Sequence, residues 1–141
     1  MSTESLQLQH QTDQERAIQN LYGLQRERQQ LQVRVREVHR QLRRLEVIMA
    51  SEPTVERHET LELLHANTIG CLEDIEFYSA GLRDEIVRIS EGIQALEPLR
   101  PSTARDVFAA YVRTDTEFAL SNATATRHDY DRIIAELRAV Q

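Results

Sequence analysis

The chain has 141 residues and a formal net charge of -6, with 23 acidic side chains against 17 basic ones, every one of them arginine. Without lysine there is no Schiff-base amine, no phosphate-loop lysine and no side-chain amine to acetylate. Four glycines, three prolines, no tryptophan and 40% hydrophobic residues argue against a turn-rich β fold, and supply one core without a bilayer-length apolar run.

The opening residues Met1 to Ser5 show no basic patch followed by an apolar stretch, so neither an export signal nor a membrane anchor is expected. Cys71 is the single cysteine; it can make no internal disulfide and is too little thiolate for a zinc site. The expected compartment is intracellular, most simply cytoplasmic. The glycosylation match at Asn122, Ala123 and Thr124 is discounted on the same ground.

The first helix is expected from about Glu4 to Ala50. From Ala17 onward, residues fall on alternating three- and four-residue steps: Ala17, Leu21, Leu24, Arg28, Leu31, Val35, Val38, Leu42, Leu45 and Met49. All but Arg28 are apolar, and a sustained 3.5-residue period is the coiled-coil signature. The glutamine-rich stretch before Ala17 loses the period, so residues 1–16 read as a frayed or partner-dependent extension.

Ser51 or Thr54 can cap a helix and Pro53 suits a first turn, so the chain reverses there. The period returns from Leu61 through His65, Thr68, Leu72, Ile75, Ser79, Leu82, Ile86, Ile89 and Ile93 to Leu96. Pro98 and Pro101 end this helix, since proline cannot donate to the helical ladder and restricts the residue before it. Residues 17–97 thus form an antiparallel coiled-coil hairpin. Ser102 then caps a third helix carrying Val107, Phe108, Tyr111, Val112 and Phe118, and residues 98–141 pack on the hairpin or on a partner. Thr116, Ser121, Asn122, Thr124 and Thr126 dilute the pattern, so that helix either continues weakly or breaks near residues 121–126. The fold class is all-α, an elongated three-helix bundle.

Charge separates by segment. Residues 1–50 hold eight arginines and six acids, residues 51–100 four and eleven, and the remainder five and six. A basic helix facing an acidic one predicts flanking pairs that select partner and orientation: Arg34 and Arg36 approaching Glu73, Asp74 and Glu76, Arg26 near Asp84 and Glu85, and Arg43 and Arg44 near Glu59 and Glu62. Arg28 falls close to Ser79 in that register. Its stem packs and its head reaches water or an acid, or else it fixes register as a buried polar group.

Chemistry is sparse. Glu62 and His65 stand at the i, i+3 spacing of di-iron carboxylate bundles, with His58 one turn earlier. The second glutamate-histidine pair that such a site needs is missing, so no metal and no cofactor is expected. Acids follow Cys71 and disfavour a reactive thiolate, and no glycine-flanked nucleophile turn or phosphate loop occurs.

The functional expectation is therefore associative: a non-enzymatic coiled-coil interaction protein, a small structural or adaptor subunit of a homo- or hetero-oligomer. The helix ends and a belt on the second helix, Phe77 to Gly81, suited to receiving the third helix or a foreign one, supply the candidate partner residues, namely Leu6, Ile18, Leu21, Leu24, Phe77, Tyr78, Tyr130, Ile133, Ile134 and Leu137. The first helix carries Ile18, Val33, Val47 and Ile48 as further apolar residues off its seam. Two alternatives stand beside it. One is a helical chaperone or regulator that holds a partner segment transiently. The other is a nucleic-acid binder using Arg34, Arg36, Arg40, Arg43 and Arg44, disfavoured by the acidic total and by the lack of interleaved aromatic residues.

Overall fold

A computed structural model describes the backbone from Thr3 to Gln141 and the side chains from Thr12 onward. Three helices account for it, α1 (Thr3–Ser51), α2 (Val55–Leu96) and α3 (Thr103–Ala139), in an all-α three-helix bundle. Among the described residues no helix is long and apolar enough to cross a membrane.

Local chemistry explains the ends. The Ser51 hydroxyl donates back to the carbonyls of Val47 and Ile48, both at 3.2 Å, which closes α1. Glu52 to Thr54 make the turn, and the first amide bond of α2 runs from His58 to the Thr54 carbonyl at 2.9 Å. Thr54 is thus the entry residue, with Pro53 just outside the helix. Ser102 caps α3 as its sequence position predicts: its hydroxyl accepts from the Arg105 amide at 3.1 Å, and its carbonyl from the Asp106 amide at 3.0 Å.

Every α1 seam residue from Ala17 to Met49 is buried or half-buried, and so is every α2 seam residue from Leu61 to Leu96. Leu24, Leu31, Leu45, Leu61, Leu82 and Ile89 are almost wholly removed from water, each worth roughly 1.5–3 kcal/mol against an exposed position. The period of the first two helices therefore locates the core.

In α3 the outcome differs. The helix is continuous through residues 121–126. Its buried face from Ala109 runs through Val112, Thr116, Ala119 and Ala123, then Tyr130, Ile133, Ile134 and Leu137. Val107, Tyr111 and Phe118 point to solvent instead. With half-buried Thr126 between Ala123 and Tyr130, the seam keeps three- and four-residue steps, but its first half is built from small residues.

Two compact units divide the chain by Cα proximity. One gathers α1 as far as Arg28 with Gly81–Thr124; the other gathers Gln29–Ala80 with Ala125–Gln141. This division falls within each helix.

In the first unit, α3 approaches closely. A Cβ on Gly23 would sit 3.4 Å from Leu120, and one on Gly92 3.6 Å from Val112, so glycines and alanines make room at these contacts. Asp13 pairs with Arg113 at 2.8 Å, tying α3 to the stretch of α1 that precedes the regular period. Arg88 pairs with Asp115 at 2.7 Å, and that hydrogen bond raises the Arg88 pKa above its usual value.

In the second unit, larger side chains fill the core around Tyr130. Arg34 Nε meets Asp131 at 2.7 Å and Arg138 meets Glu37 at 2.9 Å along α1 and α3. His39 meets Glu76 at 2.7 Å and His65 meets Glu46 at 3.1 Å along α1 and α2. As α1 rises from His39 to Glu46, α2 falls from Glu76 to His65.

Candidate functional site

The predicted site residues separate into those spent on the core and those left outside. Leu21, Leu24, Tyr130, Ile133, Ile134 and Leu137 are buried in the chain's own bundle, and Ile18 is half-buried. These residues hold this chain together. Leu6 lies outside the residues whose side chains are described. Phe77 is 84% exposed, while its neighbours Tyr78 and Ser79 turn partly inward. A Cβ on Gly81 would meet nothing within 4 Å, so the third helix does not occupy that part of the belt.

The charged register residues are also redistributed. Arg34 spends its guanidinium on Asp131 of α3, at the α3-facing edge of α1, and not on the α2 acids expected for it. Glu76 accepts a hydrogen bond from His39 Nε2 at 2.7 Å, from a histidine that charge counting at neutral pH leaves out. Arg36, Glu73 and Asp74 form no ion pair among the described residues, and neither do Arg26, Arg43 and Arg44. Arg28 and Ser79 are each half-buried.

Ser79 has another neighbour. Its hydroxyl and that of Tyr130 are both buried, and neither makes a hydrogen bond of normal geometry. Burial pushes the Tyr130 phenol up to about 12; the nearby Ser79 hydroxyl opposes the shift and the charge of Glu76 adds to it.

The metal candidates do not converge. His58 Nδ1 lies 3.3 Å from Glu62 in its own helix, whereas His65 turns to Glu46 of α1. Among the described residues no group of three His, Cys, Asp or Glu side chains is placed to hold a metal ion. Cys71 is free and exposed.

What remains is a surface. On the second unit, a shallow groove between α1 and α2 is lined by Leu42, Arg43 and Glu46 on one side and Ile69, Leu72 and Glu73 on the other. A second concavity runs along α1 over Val33, Arg36, Arg40 and Arg43. Val33, Val47, Leu63 and Phe77 are all more than half exposed around them. Sequence reasoning found Phe77 through its belt and noted Val33 and Val47 as apolar residues off the seam. It missed Leu63. The available signal was the seven-residue spacing of Leu63, Gly70 and Phe77, midway between seam positions.

Comparison with protein-family models, with curated proteins and with solved structures finds no match.

Proposed function

We propose that the chain is a non-catalytic helical interaction protein, a small structural or adaptor subunit that joins a larger assembly through helix packing. One observation carries the reading. The three helices already supply each other with a core, yet large apolar side chains recur on their outer faces at helical spacing: Leu63 and Phe77 on α2, Val33 and Val47 on α1, and Val107, Tyr111 and Phe118 on α3. Single exposed apolar residues are ordinary, whereas aligned ones mark contact surfaces.

The test is affinity capture of the full chain from its native cell at moderate salt with mass spectrometry, alongside light scattering of the purified chain. A stoichiometric partner or a defined oligomer is expected. Recovery of the chain alone, as a monodisperse monomer, would overturn the reading.

A second reading has its own support, since Arg36, Arg43 and Arg44 are exposed and without ion-pair partners among the described residues. That pattern suits a polyanion. Against it stand Glu46, Glu73 and Glu76 beside Arg43 in the groove, whose lining residues include no Phe, Tyr or Trp. Steeply salt-dependent retention on DNA or RNA would favour it.

A further inference from the structure

Two exposed stripes of opposite character share one face of the second unit. On α1, Val33, Arg40 and Val47 recur every seven residues opposite the seam, with Arg36 and Arg43 beside them toward the α1–α2 groove. On α2, Leu63, Gly70 and Phe77 recur in the same way, with Ala66 and Glu73 beside them. The α1 stripe is basic, and the α2 stripe is acidic and apolar.

The chain's own contacts account for little of either stripe beyond Arg40, whose guanidinium pairs with Glu37 in its own helix. Phe77 is almost fully exposed, and a Cβ on Gly70 would meet open space, so nothing within the chain requires a helix-weakening glycine there. Arg36 and Glu73 have no ion-pair partner among the described residues.

The stripes are also level with one another. Two contacts set the relative height of α1 and α2, Glu46 with His65 and His39 with Glu76. Within about one helical turn of the mean of these two registers, Val33 stands at the height of Phe77, Arg40 at that of Gly70, Val47 at that of Leu63 and Arg36 at that of Glu73. A two-fold axis parallel to the helices keeps heights unchanged while it sets α1 of one copy over α2 of another. All four matches then form together, and each forms twice, as an isologous contact requires.

We propose that this face of the second unit is a homodimer interface in which α1 of one copy packs on α2 of the other. Val33 covers Phe77, Val47 covers Leu63, Arg36 reaches Glu73, and the Arg40 stem crosses the bare backbone at Gly70. Charge selects the occupant. Stacking α1 on α1 or α2 on α2 opposes like charges, whereas α1 on the second copy's α2 opposes unlike ones. The inference rests on the associative reading above and names its partner.

Sedimentation velocity and light scattering of the full chain over a concentration series test it. The wild-type chain is expected to dimerise, and Phe77→Asp to raise the dimer Kd by about thirtyfold or more. Circular dichroism of that variant should be unchanged, because the phenyl ring contributes little to its own fold. Arg36→Glu and Glu73→Arg should each weaken the dimer, and the two together should restore it. A wild-type monomer throughout, or a dimer indifferent to Phe77→Asp and to both charge reversals, would overturn the inference. Neither result overturns the associative reading, which falls only if the native-cell capture also recovers no partner.

Discussion

Asn20 of α1 donates through its side-chain amide to the Thr116 hydroxyl of α3 at 3.3 Å, while that same hydroxyl donates to the Arg113 carbonyl at 2.7 Å. Thr116 is fully buried, and these two bonds satisfy a polar group in the middle of a small-residue seam. Thr116→Val keeps the shape and removes both bonds; it is expected to lower stability by about 1–2 kcal/mol, because Asn20 is only half-buried and partly recovers water. Asn20→Ala should cost about 1 kcal/mol or less. Urea denaturation of both variants and of the double variant measures the coupling, expected at about 0.5–1 kcal/mol, and simple additivity would show that the pair does not act as a unit.

Phe118 and Ala119 adjoin in sequence and face opposite ways. Phe118 is exposed, whereas Ala119 is buried in the α3 seam. Phe118→Ala is therefore expected to change stability by no more than about 0.5 kcal/mol, while Ala119→Leu should destabilise by roughly 1–3 kcal/mol through overpacking. Thermal melts of the two variants read this directly. The opposite order would return the α3 face to the one suggested by its large apolar residues.

That contrast explains what the sequence made legible. In α1 and α2 the buried positions are mostly Leu, Ile and Val, so periodicity and burial carry the same signal, and both seams follow from spacing alone. In the first half of α3 they separate. Gly23 and Gly92 sit against Leu120 and Val112, and such close approach favours Ala109, Ala119 and Ala123 over bulkier residues. Alanine contributes little to a search for apolar stripes, so Val107, Tyr111 and Phe118 drew attention to the outer face. Thr116 reads as a helix breaker by propensity but is held inside by Asn20. The charge pattern shows a similar limit: net charge identified opposed segments, but Arg34 could turn toward either neighbouring helix, and only its position on the α3-facing edge directs it to Asp131.

The helical glycines differ enough to be ranked. All lie within helices, and none has a positive φ. Gly70 and Gly81 face open space, whereas a Cβ on Gly23 would press against Leu120 at 3.4 Å. Gly70→Ala and Gly81→Ala should each stabilise the folded chain by about 0.5–1 kcal/mol, because alanine loses less backbone freedom and fits without a clash. Gly23→Ala should gain less or nothing, since Leu120 has to yield a few tenths of an ångström. Chemical denaturation at a dilution where the chain is monomeric separates this effect from any change in association. Equal gains at all three positions would show that the contact at Gly23 does not constrain packing.

The burial of Tyr130 predicts a loss of stability at alkaline pH. In most proteins lysines titrate across the same range and hide the tyrosines, but this chain has no lysine and four tyrosines. The buried Tyr130 phenol is pushed up to about 12 from its ordinary 10.0, so the folded state keeps a proton that the unfolded state gives up. Below about pH 10 both states hold the proton and the native stability is intact; between about pH 10 and 12 the unfolded state binds fewer protons, and stability falls as pH rises. The loss attributable to this residue is of order 2 kcal/mol. Tyr130→Phe should flatten that part of the stability profile, and it removes from the core a hydroxyl that makes no well-formed hydrogen bond, so its cost near neutral pH should be small. Urea midpoints measured from pH 9 to about 12 on the wild type and on Tyr130→Phe test the point, with the absorbance rise of phenolate reporting ionisation. Parallel decline in the two proteins would place the alkaline sensitivity elsewhere, whereas a decline confined to the wild type assigns it to the phenol that closes the core beside Ser79.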